Sequence, residues 1–370
     1  MSWRRWASER NRETQETDQW RAPRDFDARG PAGKLDSRAI VSFASNDYLG
    51  LSAHPLVVDA AHEALDRWGA GSGSARLIVG SRPIHSTLER ELADWKETDS
   101  AVLFPNGYAT NLGVLTSFGT KDTLICSDEL NHASIVDGCG LSKARVLIYP
   151  HNDISALAEL LRGRDRAIVV SDTVFSMDGD VAHVDNLLEV CSRNGALLVL
   201  DEAHAVLGPH PVVGDAEVIR VGTLSKFVGS YGGFAAGSKD LMDLLVNRAR
   251  PFIFTTASSP ADAAAALAGV ELLRSAEGEA LTRRLRELVD RVRRDHPSPI
   301  VPFVIGKESE ALMASRQLLD QGLFVPAVRP PSVPEGSARL RVTLSAAHSD
   351  EQVDRLISSL ASIETVPTHA

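Results

Sequence analysis

The sequence predicts an α/β protein: a mostly parallel central sheet with helices on both faces, followed by a smaller α+β unit. Three observations carry this reading. Short apolar, β-branched runs recur, among them Ala167-Ile168-Val169-Val170, Ala196-Leu197-Leu198-Val199-Leu200 and Val218-Ile219-Arg220-Val221-Gly222. A strand covered on both faces reads this way. Helical patterns separate the runs at the spacing of βα units with right-handed crossovers. At Arg250-Pro251 and Ser259-Pro260 the character of the chain changes.

The elements follow in order. Residues 1 to about 40 are rich in charge, Pro and Gly, with Trp3, Trp6 and Trp20 interspersed. They predict a short amphipathic helix and then an irregular arm that packs on something, a partner subunit being one such surface. Regular structure is expected from Val41-Ser42-Phe43. Strands are expected near 123–126, 144–149, 167–171, 196–200, 218–222 and 233–236, and helices over 86–96, 111–118, 154–161 and 184–193. Beyond residue 260 one long helix over 261–296 is expected, with a break at Glu277-Gly278. Strands at 300–305, 323–328 and 338–343, and helices at 308–321 and 350–363, complete the smaller unit. The expected division is an N-terminal arm over 1–45, a large domain over 46–250 and a small domain over 251–370.

Composition narrows the function. The 370 residues are 44% apolar and 24% charged, with a net charge of −10. An acidic balance argues against a nucleic-acid surface. Cys126, Cys139 and Cys191 show no CxxC spacing and are expected as buried free thiols. No metal site is read. No apolar run is long enough to span a membrane, and Met1–Trp6 is charged rather than apolar. The expected location is the cytoplasm.

In open α/β sheets, ligands sit outside the carboxyl ends of the strands. Four runs deliver polar residues to that rim: Asp172, then Asp201 and His204, then Thr223, Ser225 and Lys226, and the glycines at 232–237. Lysine is ordinarily solvated. Lys226, however, precedes the glycine-rich stretch 229–233, which lets backbone approach a ligand closely. An amine held in such a site can act as a nucleophile, as a Schiff-base lysine does. Asp201 either caps its strand or, with His204, reaches a planar ligand. The letters D-E-A-H also occur in helicases, but no GxxxxGK[ST] loop exists in the chain. Gly107 and Tyr108 open a helix after Pro105-Asn106, where free amides suit a phosphate. His132 is either structural or stacks on a flat ring. Ser176 either bonds a cofactor or caps a turn. Arg329 and Arg341 are surface residues by default, yet arginine grips carboxylates with a two-pronged fork, and Arg329 adjoins a rigid proline run.

Eight ordered stretches then complete a pattern: Ser45–Leu51, Gly71–Arg76, His85–Trp95, Asn131–Ser134, Val174–Gly179, Asp201–His204, Thr223–Lys226 and Arg329-Pro330-Pro331. From Ser42 onward the chain resembles the α-oxoamine synthases, a pyridoxal-phosphate-dependent family of fold type I. The resemblance implies pyridoxal 5'-phosphate as cofactor and Lys226, His132 and Asp201 as catalytic residues. Lys226 would bind the cofactor covalently, Asp201 would pair with its ring nitrogen, His204 would meet its ring oxygen and His132 would stack on it. Gly107, Tyr108, Ser176 and Thr223 would hold it. Thr255 and Thr256 would reach the phosphate in the neighbouring subunit of a homodimer. Asn46, His132, Ser332 and Arg341 would face substrate, together with an N-terminal arginine, Arg21 being the nearest candidate and Arg24 the alternative.

The Arg-Pro-Pro-Ser-Val-Pro run favours the biotin-pathway branch of the family. That branch implies decarboxylative condensation of L-alanine with a pimeloyl thioester of coenzyme A or acyl carrier protein. Three departures touch the acyl side: Ala205 where the family has Gly, a shortened 206–220 segment, and Ser332 where Thr is common. A sister synthase using glycine or serine is the alternative. A silent homologue acting as a binding subunit is a third reading, against which Lys226 is retained.

Overall fold

The computed structural model describes residues 1–16, 20–210 and 214–363. Helix α1 (Trp3–Glu16) buries none of its residues, and Trp3, Trp6 and Trp20 are all exposed. Strands β1 (Phe26–Ala28), β2 (Ala32–Leu35) and β3 (Arg38–Ser42) then form an antiparallel ladder. Regular structure therefore begins well before Val41. The β2–β3 turn is Asp36-Ser37, both at positive φ (48° and 69°), as a tight two-residue hairpin requires. Asp-Ser is a weaker signal for that turn than Asn-Gly, which hid the hairpin in the sequence. Helix α2 (Pro55–Trp68) was not anticipated; Pro at its start and the His54 ring, accepting from Leu56 N–H, begin it. Helix α3 (Pro83–Lys96) follows.

The central sheet holds β4 (Ser100–Phe104), β5 (Leu124–Asp128), β6 (Arg145–Tyr149), β7 (Ala167–Asp172), β8 (Leu197–Asp201), β9 (Val218–Thr223) and β10 (Gly233–Gly237). Their order is β4-β10-β9-β8-β7-β5-β6. The sequence reading omitted β4. All strands run parallel except β10, which is antiparallel to both its neighbours. Gly233 at the start of β10, not Gly237 at its end, therefore lies on the ligand rim.

Helices α4 (Gly107–Phe118), α5 (Ala133–Leu141), α6 (Ile154–Leu161), α7 (Val184–Asn194) and α8 (Lys239–Arg248) cover the two faces. Alternation along each strand divides the core. Ile168 and Val170 of β7 pack with Val114, Leu115, Ile135 and Leu245 on one face. Val169 of β7 packs with Leu157, Leu161 and Leu187 on the other. Each buried aliphatic side chain contributes roughly 1.5–3 kcal/mol, so period-two burial on both faces fixes the register of the sheet.

The last third contains α9 (Arg250–Ile253), α10 (Pro260–Leu273), α11 (Ala276–Val292), β11 (Ile300–Gly306), α12 (Glu308–Asp320), β12 (Leu323–Phe324), β13 (Ala327–Val328), β14 (Ala338–Thr343) and α13 (Asp350–Ala361). The expected long helix is two helices, broken at Arg274-Ser275 rather than at Glu277-Gly278. Ser275 caps α11 by accepting from Gly278 N–H, and Glu277 and Glu279 complement the positive helix start. The expected strand 323–328 splits at Pro326, which has no N–H for a ladder. One half, β12, pairs in parallel with β3. The other, β13, joins β14 and β11 in an antiparallel sheet. The N-terminal ladder and the C-terminal unit are thus joined through β12.

Candidate active site

Lys226 stands just beyond β9 in a loop whose shape glycine dictates. Gly229 has φ +80°, and a Cβ there would lie 2.5 Å from the Leu51 carbonyl carbon. No other residue fits without moving backbone. The loop closes through Gly229 N–H on the Lys226 carbonyl (3.0 Å) and Ser230 N–H on the Leu224 carbonyl (2.9 Å). Lys226 Nζ lies 2.8 Å from His204 Nε2, and His204 Nδ1 lies 2.5 Å from the Tyr48 hydroxyl. That hydroxyl donates to Asn46 Oδ1 (3.1 Å). Its only proton being committed, His204 Nδ1–H must donate to it, and Nε2 accepts from the lysine. Burial pushes His204 well below the ordinary imidazole range, and the Lys226 and Arg341 charges push the same way. Burial also lowers the Lys226 amine, against the pull of Asp201 and Asp172.

Asp172 and Asp201 end adjacent strands in register. Asp201 Oδ1 accepts from Ala203 N–H (2.9 Å) and Oδ2 from Asn111 Nδ2 (2.7 Å). The same Asn111 nitrogen donates to Ser134 Oγ (2.8 Å), which lies 2.8 Å from His132 Nδ1. Ser134 N–H also meets His132 Nδ1 at 3.2 Å. His132 N–H donates to Asp172 Oδ2 (2.7 Å). Asn131 laces the histidine loop to β7, donating to the Val170 carbonyl and accepting from Asp172 N–H. Burial raises the Asp172 carboxyl well above the usual range, and repulsion from Asp201 raises it further. Burial lowers His132, with Asp201 opposing.

The turn at Asn106 brings α4 against β9 and β10. Asn106 Oδ1 caps the helix by accepting from Ala109 N–H (2.8 Å). Gly107 and Tyr108 are the first two helical residues, whose N–H groups have no acceptor within the helix. Gly107 faces Thr223: a Cβ there would lie 3.4 Å from Thr223 Cβ. Thr223 Oγ1 and Ser225 Oγ are 2.7 Å apart. This is a cradle of amides and hydroxyls. The Tyr108 ring is largely exposed, and its hydroxyl donates to Asp137.

The remaining predicted residues divide. Buried Arg341 donates from Nε to the Ser176 carbonyl (2.6 Å), from Nη1 to Thr343 Oγ1 (2.8 Å) and from Nη2 to Asn46 Oδ1 (3.3 Å). Arg341, Asn46 and Ser176 are therefore together, Ser176 by its backbone. Ser332 is exposed and lines a cavity of about 490 Å³ with Asn131, Ala133, Met177 and Val333, next to the His132 loop. Thr255 and Thr256 lie elsewhere, where Thr256 bridges to Ala75. Arg21 is exposed in the arm. Arg24 pairs with Asp36 (2.6 Å) and lines a separate cavity of about 570 Å³ with Phe26, Ser45 and Asp47. Residues 211–213 of the shortened 206–220 segment lie outside the described residues.

The sequence places Asp172 on the rim without a role, and does not single out Tyr48, Asn111 and Glu202 as site residues. Buried Glu202, next to Asp201, accepts from Lys96 Nζ and Arg220 Nε, both at 2.6 Å. Burial alone would raise its carboxyl, yet the two cations hold it below the usual range. This triad anchors the Asp201–His204 turn to α3 and β9. A glutamate between an aspartate and an alanine at a strand end was the available signal, and its partners are far away in sequence.

Residues 38–360 match the family described as aminotransferase class I and II. The 8-amino-7-oxononanoate synthase of Anaeromyxobacter dehalogenans (strain 2CP-1) is 47% identical over 356 residues, covering 91% of this chain and 89% of that one. A serine palmitoyltransferase structure with PLP superposes with a TM-score of 0.87 at 27% identity, covering 95% of each chain. The 8-amino-7-oxononanoate synthase structure from Francisella tularensis gives 0.72 at 25% identity, covering 86% of this chain and 96% of that one. With the lysine, the two rim carboxylates and the amide cradle in place on this fold, the chain belongs to the aminotransferase class I and II family and, within it, to the 8-amino-7-oxononanoate synthases.

Proposed function

We propose that this chain condenses L-alanine with a pimeloyl thioester, releasing carbon dioxide and the carrier thiol, to form 8-amino-7-oxononanoate in biotin synthesis. The observation that carries this reading is the convergence of Lys226, Asp201 and His132 on one rim, beside Arg341. The donor set fits pyridoxal 5'-phosphate. The Gly107 position leaves room for a phosphate that a side chain would fill, and Thr223, Ser225 and the helix amides supply its donors. When bound, the cofactor supplies an aldehyde that captures amines and a ring that withdraws electrons from the substrate Cα.

The chain's own residues do the rest. Lys226 Nζ would hold the cofactor and would then be the base for the Cα proton; the amine's lowered pKa suits it to that task. Asp201 would keep a proton on the ring nitrogen. Neutral His204 accepts from Lys226 and aligns it. His132 would cover one ring face. Arg341 spends three of its five N–H donors on the Ser176 carbonyl, Thr343 and Asn46 and also meets the Tyr48 hydroxyl, so its charge would attract a substrate carboxylate from a fixed position. The acyl chain would enter by the cavity beside Ser332. Purified protein supplied with L-alanine, glycine or L-serine and a set of acyl thioesters is expected to show its highest kcat/KM with L-alanine and a pimeloyl donor. Running coenzyme A and acyl-carrier-protein thioesters side by side identifies the carrier. Faster use of L-serine or glycine with plain fatty acyl donors would overturn the substrate assignment.

The chain also acts as a homodimer in this reading. Leu77, Ile78, Val79 and Phe254 are all more than half exposed. The Ala75–Thr256 bridge and Arg76 over the Phe252 ring (5.7 Å) make their segments neighbours. A contiguous apolar surface of this kind marks an interface; Thr255 and Thr256 adjoin Phe254 in the chain, and in a dimer they would reach the partner's phosphate. Mixing inactive Lys226→Ala chains with impaired Thr256→Ala chains is expected to restore activity through hybrid dimers. Full activity of a monomer in sedimentation at assay concentration would refute shared sites. Among the described residues, no helix is long and apolar enough to cross a membrane.

A further inference from the structure

We infer that Asn111 is a positioning residue that, through Ser134, locks His132 as the neutral tautomer with its proton on Nε2, while the same amide orients Asp201. The inference rests on the proposed condensation for its functional meaning, but its geometry stands without it. Asn111 is 1% exposed, at the centre of α4, and Ser134 is equally buried in the first turn of α5. A carboxylate can only accept, so the group that Asn111 turns to Asp201 Oδ2 at 2.7 Å must be its NH₂. The second hydrogen of that NH₂ goes to Ser134 Oγ at 2.8 Å. The serine oxygen is thereby an acceptor toward Asn111, and its own proton is free for His132 Nδ1 at 2.8 Å. The backbone N–H of Ser134, which can only donate, faces the same nitrogen at 3.2 Å. Two donors on Nδ1 leave it no proton.

The neutral ring then carries its proton on Nε2, as the partner of one imidazole nitrogen determines the state of the other. His132 is covered on the Asp172 and Ser134 side but its ring reaches solvent at the edge, so the ring's one N–H is a donor available to a bound substrate, for instance to the carbonyl oxygen of the acyl donor. Asn111 Oδ1 is buried without a partner among the described residues. A helix amide that leaves its oxygen unsatisfied while spending both hydrogens on the site is a costly arrangement for stability alone. One residue thus ties the orientation of the ring-nitrogen aspartate to the protonation of the ring-facing histidine. Neither tie is visible from sequence, because residues 111, 134 and 201 lie on three different elements.

The test is the tautomer itself. The full chain, with ring-¹⁵N histidine, is examined by two-bond ¹⁵N–¹H correlation, the His132 signals being identified by their loss in His132→Asn. The expected result is Nε2–H in the native chain. In Asn111→Leu the serine hydroxyl is released to accept, so one of the two donors on Nδ1 is lost; the Nδ1–H fraction is expected to rise, though the Ser134 N–H still opposes it and Nε2–H remains populated. For turnover, kcat is expected to fall about tenfold or more, the usual effect of losing an orienting partner, with KM for the amino acid changing less. Ser134→Ala, which leaves only the backbone donor on Nδ1, should raise the Nδ1–H fraction and lower kcat likewise, and Ser134→Thr, which keeps a hydroxyl, should keep the native pattern, which decides the matter if Asn111→Leu fails to fold. Because both single changes cut one chain of bonds, the double variant should be no slower than the slower single. An Nδ1–H tautomer in the native chain, an unchanged tautomer in both single variants, or fully additive losses would overturn the inference. Failure of the condensation assay with an intact Nε2–H tautomer would count against the substrate reading only.

Discussion

Lys226→Ala is expected to abolish condensation, by about 10⁴-fold or more, or about 5.5 kcal/mol of barrier, since one decade corresponds to about 1.36 kcal/mol. The size follows from the residue serving twice. In the proposed reaction its amine would fasten the cofactor, and the same amine would take the Cα proton. No neighbour can substitute. His204 Nε2, 2.8 Å away, is held neutral and buried, with its other nitrogen committed to Tyr48. His132 is engaged at Nδ1 by Ser134. The fold should survive, because the loop is closed by backbone bonds of Gly229 and Ser230 rather than by the lysine side chain. Far-UV circular dichroism should therefore match the parent while activity is lost. The companion measurement uses the native chain. Borohydride reduction followed by digestion should leave the cofactor on the peptide containing Lys226. Cofactor found on another lysine, or a variant retaining a tenth of the native rate, would remove Lys226 from its assigned place.

Much of this site was legible in the sequence because it is delivered by strand ends. A β-branched run followed by Asp or by Thr-x-Ser-Lys states both the strand and which residues leave it at the rim. Asp201, His204, Thr223 and Lys226 all arrive this way, on β8 and β9. What escaped is what depends on pairing between distant segments. Asn111 reads as an ordinary helix residue until α5 and β8 are placed beside it. Tyr48 lies within a quoted motif, yet its bond to His204 spans most of the large unit. The direction of β10 was in principle readable. The stretch from Leu224 to Gly232 is too short to hold a crossover helix, so its strand must turn back antiparallel. Likewise, Ser275 followed by Glu277 and Glu279 announces a new helix start. The proline run at Arg329–Pro334 announces a stiff loop, and its Ser332 lies on the cavity beside the His132 loop. The Arg21 expectation has least structural support, since that residue is exposed in the arm and Arg24 is already paired with Asp36.

Asp201→Asn is expected to lower turnover by about 10²–10³-fold, the range for removing one preorganised electrostatic partner of a reacting group. Both carboxylate oxygens of Asp201 accept hydrogen bonds, from Ala203 N–H and Asn111 Nδ2. An asparagine offers one accepting oxygen and one NH₂, so one of those donors must face another donor. The buried mismatch costs about 1–3 kcal/mol, and thermal unfolding should fall by a few degrees. The catalytic loss is separate. In the proposed role, loss of the negative charge would leave the ring nitrogen without its counter-charge, and cofactor affinity, measured by absorbance titration, should weaken together with kcat. A second consequence distinguishes charge loss from general damage. Burial and then Asp201 repulsion hold the neighbouring Asp172 carboxyl high. Removing the repulsion lets Asp172 ionise at lower pH, so its titration, followed by ¹³C carboxyl shifts, should move down in the variant. In Asp201→Ala the same downward shift should appear without the donor clash, which isolates the charge. Near-native kcat with normal cofactor affinity would show that Asp201 does not face the ring nitrogen. An unmoved Asp172 would show that the two rim carboxylates do not sense each other across the adjacent ends of β7 and β8.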